Sequence, residues 1–176
     1  MGYCCGNTKQ TRAVNLILKR QQLLYDASNY SFVEADIMEV KDDHARHQVA
    51  DIAESGNVDL ATRILNLAYW QCVEMLFPYT KRDMECMPGA PDDNLSMPEA
   101  YVIEMNVPQD FSATTVMLLE HLIHDYMVCR VLAEWMSITK RDGAANWVER
   151  SERMAEEIRS SIMSRTGKIR RRLSPF

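Results

Sequence analysis

One stretch constrains this chain more than any other: SATTVMLLEHLIHDYMVCRVLAEWMSI, residues 112–138. Its three- and four-residue apolar spacing predicts a helix, roughly 40 Å long at ~1.5 Å per residue. Plotted at about 100° per residue, the apolar groups cover nearly the whole circumference. Leu119, Leu122, Ile123 and Tyr126 fall on one side, Leu118, Leu132 and Met136 on a second, and Met117, Val128 and Trp135 on a third. A helix that is apolar all round must be buried all round. In so short a chain it is either a central helix wrapped by the others or one shared with a second subunit. Glu120, Asp125, Arg130 and Glu134 interrupt it too often for a membrane span.

The remaining elements follow from periodicity and stop signals. A first helix is expected from Thr11 to Ala27, on Val14, Ile17, Leu18, Leu24 and Tyr25. Alternation at Val33, Ala35 and Ile37 suggests a short strand. Asp42 or Asp43 caps a second helix reaching Glu54, with Ala45, Val49, Ile52 and Ala53 inward. Gly56 closes it and Asn57 opens a third helix, from Val58 to Phe77, which Pro78 limits. Residues 81–98 hold three prolines and read as a long loop. AYVIEMNV, residues 100–107, is the clearest strand, with Tyr101, Ile103, Met105 and Val107 on one face. KRDGAA reads as a turn, and Asn146 with Glu149 as a capping box for a last helix from Trp147 to Ser164. The expected fold is mainly α: a bundle of about five helices over residues 1–164, with one or two short strands and an extended basic tail at 165–176.

That tail, within GKIRRRLSPF, opposes the charge of the rest. The chain carries a net charge of -5, yet six of its 20 basic residues and none of its 25 acidic ones lie from Arg159 onward. Arg165, Lys168, Arg170, Arg171 and Arg172 alternate with Ile169, Leu173, Pro175 and Phe176. Basic residues interleaved with apolar anchors suit a segment that orders on docking, steered to an acidic groove with an aromatic end filling a pocket. The acidic body repels nucleic acid, so DNA is a partner only where such tails line a central channel. The strand carrying Tyr101, Ile103 and Met105, read as a lone edge, invites pairing with a neighbouring chain. Arg130 and Glu134, one turn apart, are a surface pair unless the long helix is shared, in which case they join the oligomer interface.

Catalytic signatures are sparse. The five cysteines form no C-x-x-C pair, and Cys72 and Cys129 sit on apolar helix faces as expected core thiols. There is no Gly-x-Ser-x-Gly elbow and no phosphate or dinucleotide loop, so neither a cofactor nor a small-molecule substrate is expected. The histidines come in pairs, His44 with His47 and His121 with His124, three residues apart and beside carboxylates. Facing helices that present imidazole and carboxylate groups build metal sites in bundles. The His124-Asp125 dipeptide resembles that of the HD-type metal-dependent phosphohydrolases, which would make His121, His124 and Asp125 metal ligands. Tyr126-Met127 stands where that family often has Gly-Lys, and hydrogen-bonded or surface histidines are the default.

RILNLAYWQCVEMLFPYTKR, YVIEMNVPQDF and IHDYMVCRVLAEWMSIT followed by NWVERSERMAEEI and a basic end resemble tailed-phage and prophage structural proteins. In plan they are similar to helical head–tail connector (adaptor) proteins. The resemblance covers about Leu60 to the end. It implies a non-catalytic virion protein that assembles as a homo-oligomeric ring and docks its tail on the portal or a neighbouring neck protein.

Overall fold

The computed structural model describes residues 11–38, 43–82 and 97–163. In chain order these form β1 (Thr11–Lys19), α1 (Arg20–Asp36), α2 (Asp43–Ala50) with a 3₁₀ turn at Asp51–Ala53, α3 (Val58–Met75), β2 (Ala100–Pro108), α4 (Ala113–Thr139) and α5 (Arg141–Met163). The fold is mainly helical, as expected, with five helices and a two-stranded antiparallel sheet. Most of the expected loop, and the tail from Arg165 through Lys168, Ile169, Arg170, Arg171, Arg172, Leu173 and Pro175 to Phe176, lie outside the described residues.

The first correction is at the start. Thr11–Lys19 is not a helix but a strand, paired with β2 from Thr11↔Pro108 to Lys19↔Ala100. Leu16 and Leu18 turn inward with Tyr101, Ile103, Met105 and Val107, while Ala13, Asn15 and Ile17 turn outward. A strand as regular as β2 needs a ladder for its backbone groups, and that long-range demand overrides the local helical spacing. The helix begins at Arg20 instead, tied to the start of β2 by Arg20 N–H donating to the Glu99 carbonyl at 3.0 Å and Arg20 Nε donating to the Pro98 carbonyl at 3.0 Å.

The second correction follows from the first. Where a strand was expected around Val33–Ile37, α1 continues to Asp36. Its buried residues, Leu23, Ala27, Ser31 and Ala35, recur every fourth position. Three of the four are small, so neighbouring helices approach closely. Ser31 Oγ donates toward the Ala50 carbonyl at 3.3 Å, joining α1 to the end of α2.

Helix α4 is the centre. It packs on α1, α2, α3, α5 and β1 of its own chain, and Leu119, Ile123, Met127, Leu132 and Met136 are fully buried. Of the two expected settings for this helix, the central one holds. Met117, Leu118 and Ile138 are its large apolar side chains left exposed. Trp135 Nε1 donates to the Val49 carbonyl at 2.9 Å and pins α2 to α4.

Lys140 alone separates α4 from α5, with an extended ψ of 80 that breaks the helical path. RDGAA is therefore the start of α5 and not the expected turn, and Asn146 lies inside the helix instead of capping it. Lys140 Nζ also meets Glu34 Oε2 at 2.9 Å, closing the end of α1 onto this corner.

Candidate functional site

The expected interface on β2 does not survive the pairing. Tyr101, Ile103 and Met105 are buried in the protein's own core, so their side chains are closed to another subunit. The Tyr101 hydroxyl donates to Asn66 Oδ1 at 2.7 Å, and burial pushes its pKa up to about 12. The outer edge of β2 is partly used as well. Backbone groups alternate sides in an antiparallel ladder, and those of Val102 and Asn106 face away from β1. The Tyr69 hydroxyl donates to the Val102 carbonyl at 2.9 Å, and Asn106 N–H donates to the Tyr79 carbonyl at 2.8 Å.

Arg130 and Glu134 form an i, i+4 pair at 3.1 Å on α4. With Arg63, Ile64, Leu67, Ala68 and Gln71 of α3 they line an open groove of about 300 Å³. Gln71 Oε1 accepts from the Tyr126 hydroxyl at 2.8 Å, so α3 and α4 are bridged at one end of this groove.

The histidines separate. His121 and Asp125 are exposed, while His124 turns to α1, its Nε2 lying 2.7 Å from Asp26 Oδ2. The other oxygen of Asp26 accepts from Gln22 Nε2 at 3.0 Å. His44 and His47 sit on the exposed side of α2, and His44 Nε2 is 3.2 Å from Gln48 Nε2. Among the described residues no group of three His, Cys, Asp or Glu side chains is placed to hold a metal ion. The partner of His124 is thus a carboxylate 98 residues away in sequence. Spacing within one helix relates near neighbours only and carries no sign of so distant a partner.

Two thiols are sealed in. Cys72 and Cys129 are buried, and burial pushes the Cys129 thiol up to about 11 and Cys72 higher still. Thiolate is the reactive form, so a raised pKa suppresses alkylation at neutral pH. Brief iodoacetamide treatment of the native protein at pH 8 is expected to leave both unlabelled, and full labelling to appear after denaturation. Peptide mass spectrometry reads the outcome, and rapid native labelling of Cys129 would contradict the packing of α4 on α5.

The remaining chemistry is on the outside. Arg150 lies 5.4 Å from the ring centres of both Tyr30 and Trp147, a cation held by two aromatic rings where α5 meets α1. Elsewhere on α1, Tyr25, Phe32 and Val33 are exposed, with Ile37 just past its end. On α3, Leu60, Leu67 and Trp70 are exposed, with Phe77 just past its end. The start and stop signals bound α3 in the sequence but assign nothing to this outer face. Trp70 is 57 % exposed. No helix is long and apolar enough to cross a membrane among the described residues. No protein-family model, curated protein or solved structure matches the chain.

Proposed function

We propose that this chain is a non-catalytic assembly protein, a structural component of a tailed-phage particle of the head–tail connector type, working in the virion through contacts with other copies and with a larger partner such as the portal. The observation that carries this reading is the placement of large apolar side chains. A core completed by one chain still leaves Tyr25, Phe32 and Val33 on α1 with Ile37 just past its end, and Leu60, Leu67 and Trp70 on α3 with Phe77 beyond it, in solvent. Apolar groups aligned on the outside of a finished fold mark surfaces for other chains. The long helix no longer supplies the argument, because its own polypeptide covers it. The basic tail supplies a second contact, since its sequence joins five cations to Ile169, Leu173, Pro175 and Phe176.

The test removes Lys168–Phe176. The shortened protein is expected to keep its helical circular dichroism and its melting temperature, while binding to the neck or portal partner is lost. A large drop in melting temperature would place the tail in the core and end the docking idea. Retained binding would end it too.

A further inference from the structure

We propose that the outer face of α3 is a two-fold contact between two copies of this chain, with the helices antiparallel and crossing between Ala68 and Tyr69. The inference rests on the reading that exposed apolar surface serves contacts between chains, and it adds which surface, which partner and which geometry. Apart from Asp59 at its first turn, the exposed positions of α3 are Leu60, Arg63, Leu67, Trp70 and Glu74, and the exposed Phe77 follows. These six alternate at spacings of three and four residues, the seam that packs one helix against another.

The order along the seam is what selects a second copy as the occupant. The pairs 60/77, 63/74 and 67/70 share one midpoint. An antiparallel copy therefore sets Leu60 against Phe77, Arg63 against Glu74 and Leu67 against Trp70, and each of these layers occurs twice. Four layers are apolar and two are opposite charges. A parallel copy would instead face Arg63 with Arg63 and Glu74 with Glu74. Charged layers in an apolar seam set orientation and register at some cost in strength. Neither Arg63 nor Glu74 has an ion-pair partner among the described residues, so both are free to meet a second chain.

Such a contact is isologous and closed. It leaves the exposed apolar residues of α1 for the head-to-tail contacts that a ring requires. One helix face buries less than the roughly 800 Å² per partner of a standard interface, so a weak pair is expected.

The experiment is sedimentation equilibrium of the full chain across a concentration series, with charge-reversed variants at exposed positions that leave the core untouched. The wild type is expected to dimerise in the micromolar range. Arg63→Glu and Glu74→Arg should each weaken the pair about tenfold or more, by setting like charges face to face in two layers. The double variant restores it, and an equimolar mixture of the two single variants forms a mixed pair tighter than either variant alone. A wild type that stays monomeric at every concentration overturns both this inference and the assembly reading. An oligomer indifferent to either reversal, or one weakened by each reversal but not rescued by the double variant, overturns the α3 geometry and leaves the assembly reading standing.

Discussion

Leu16→Lys is expected to unfold this protein, whereas Ile17→Lys, one residue further on, is expected to leave it folded. Leu16 has no solvent exposure and lies opposite Ile103 on the inner face of the sheet. A lysine there forfeits about 2 kcal/mol of apolar burial and adds several more for a polar group without solvent. That approaches the whole stability of a typical domain, about 5–15 kcal/mol. Ile17 is 53 % exposed and pairs with Val102 across the outer face, so its replacement costs about 0.2–1 kcal/mol of cross-strand contact. Urea titration followed by circular dichroism measures both. Greater damage from Ile17→Lys than from Leu16→Lys would be the signature of a helix over this segment, since a helix built on Val14, Ile17 and Leu18 buries Ile17 and turns Leu16 outward.

Trp135→Ala should lower the melting temperature by roughly 6–20 °C. The side chain is nearly buried on α4 and its ring nitrogen holds the Val49 carbonyl. Truncating a buried tryptophan costs about 3–5 kcal/mol, and for a chain of this size each kcal/mol shifts the midpoint by about 2–4 °C. Trp135→Phe is the informative companion. It keeps most of the packing but leaves the Val49 carbonyl without its donor, a loss of about 1–3 kcal/mol. Because that bond ties α2 to the central helix, hydrogen exchange in residues 43–53 should accelerate more than in α5. A Phe variant as stable as the wild type would mean that packing alone holds α2.

The elements read most accurately from sequence are those whose burial pattern is settled within one segment. The inward face of α3 repeats Ala61, Leu65, Ala68 and Cys72, β2 alternates without a fault, and α4 is apolar on every side. The misread elements depend on something distant. Val14, Leu16 and Leu18 carry a two-residue period, but Ile17 and Leu24 complete an equally good helical one. The choice falls to β2, more than eighty residues later. In α1 the buried stripe of Leu23, Ala27, Ser31 and Ala35 is narrow and mostly small, so a search for large apolar groups passes over it. Asn146 has the residue types of a capping box, yet the chain turns at Lys140, where the end of α1 supplies Glu34. The candidate sites follow the same division. The sequence points to His124 as a residue with chemistry, but its partner Asp26 lies on α1, whose bounds depend on the distant pairing of β1 with β2.

Composition and periodicity by themselves determined the helical class, three of the helices nearly to their ends, the clearest strand and the basic character of the tail. They did so because a side chain's preference for water or oil acts at its own position. The tertiary structure decided what covers what. It gave β2 a ladder partner, wrapped α4 in the chain's own helices, and left the far side of α3 without a neighbour among the described residues. Burial is a relation between segments, and a linear pattern shows that a face must be covered without saying whether the same molecule or another one covers it.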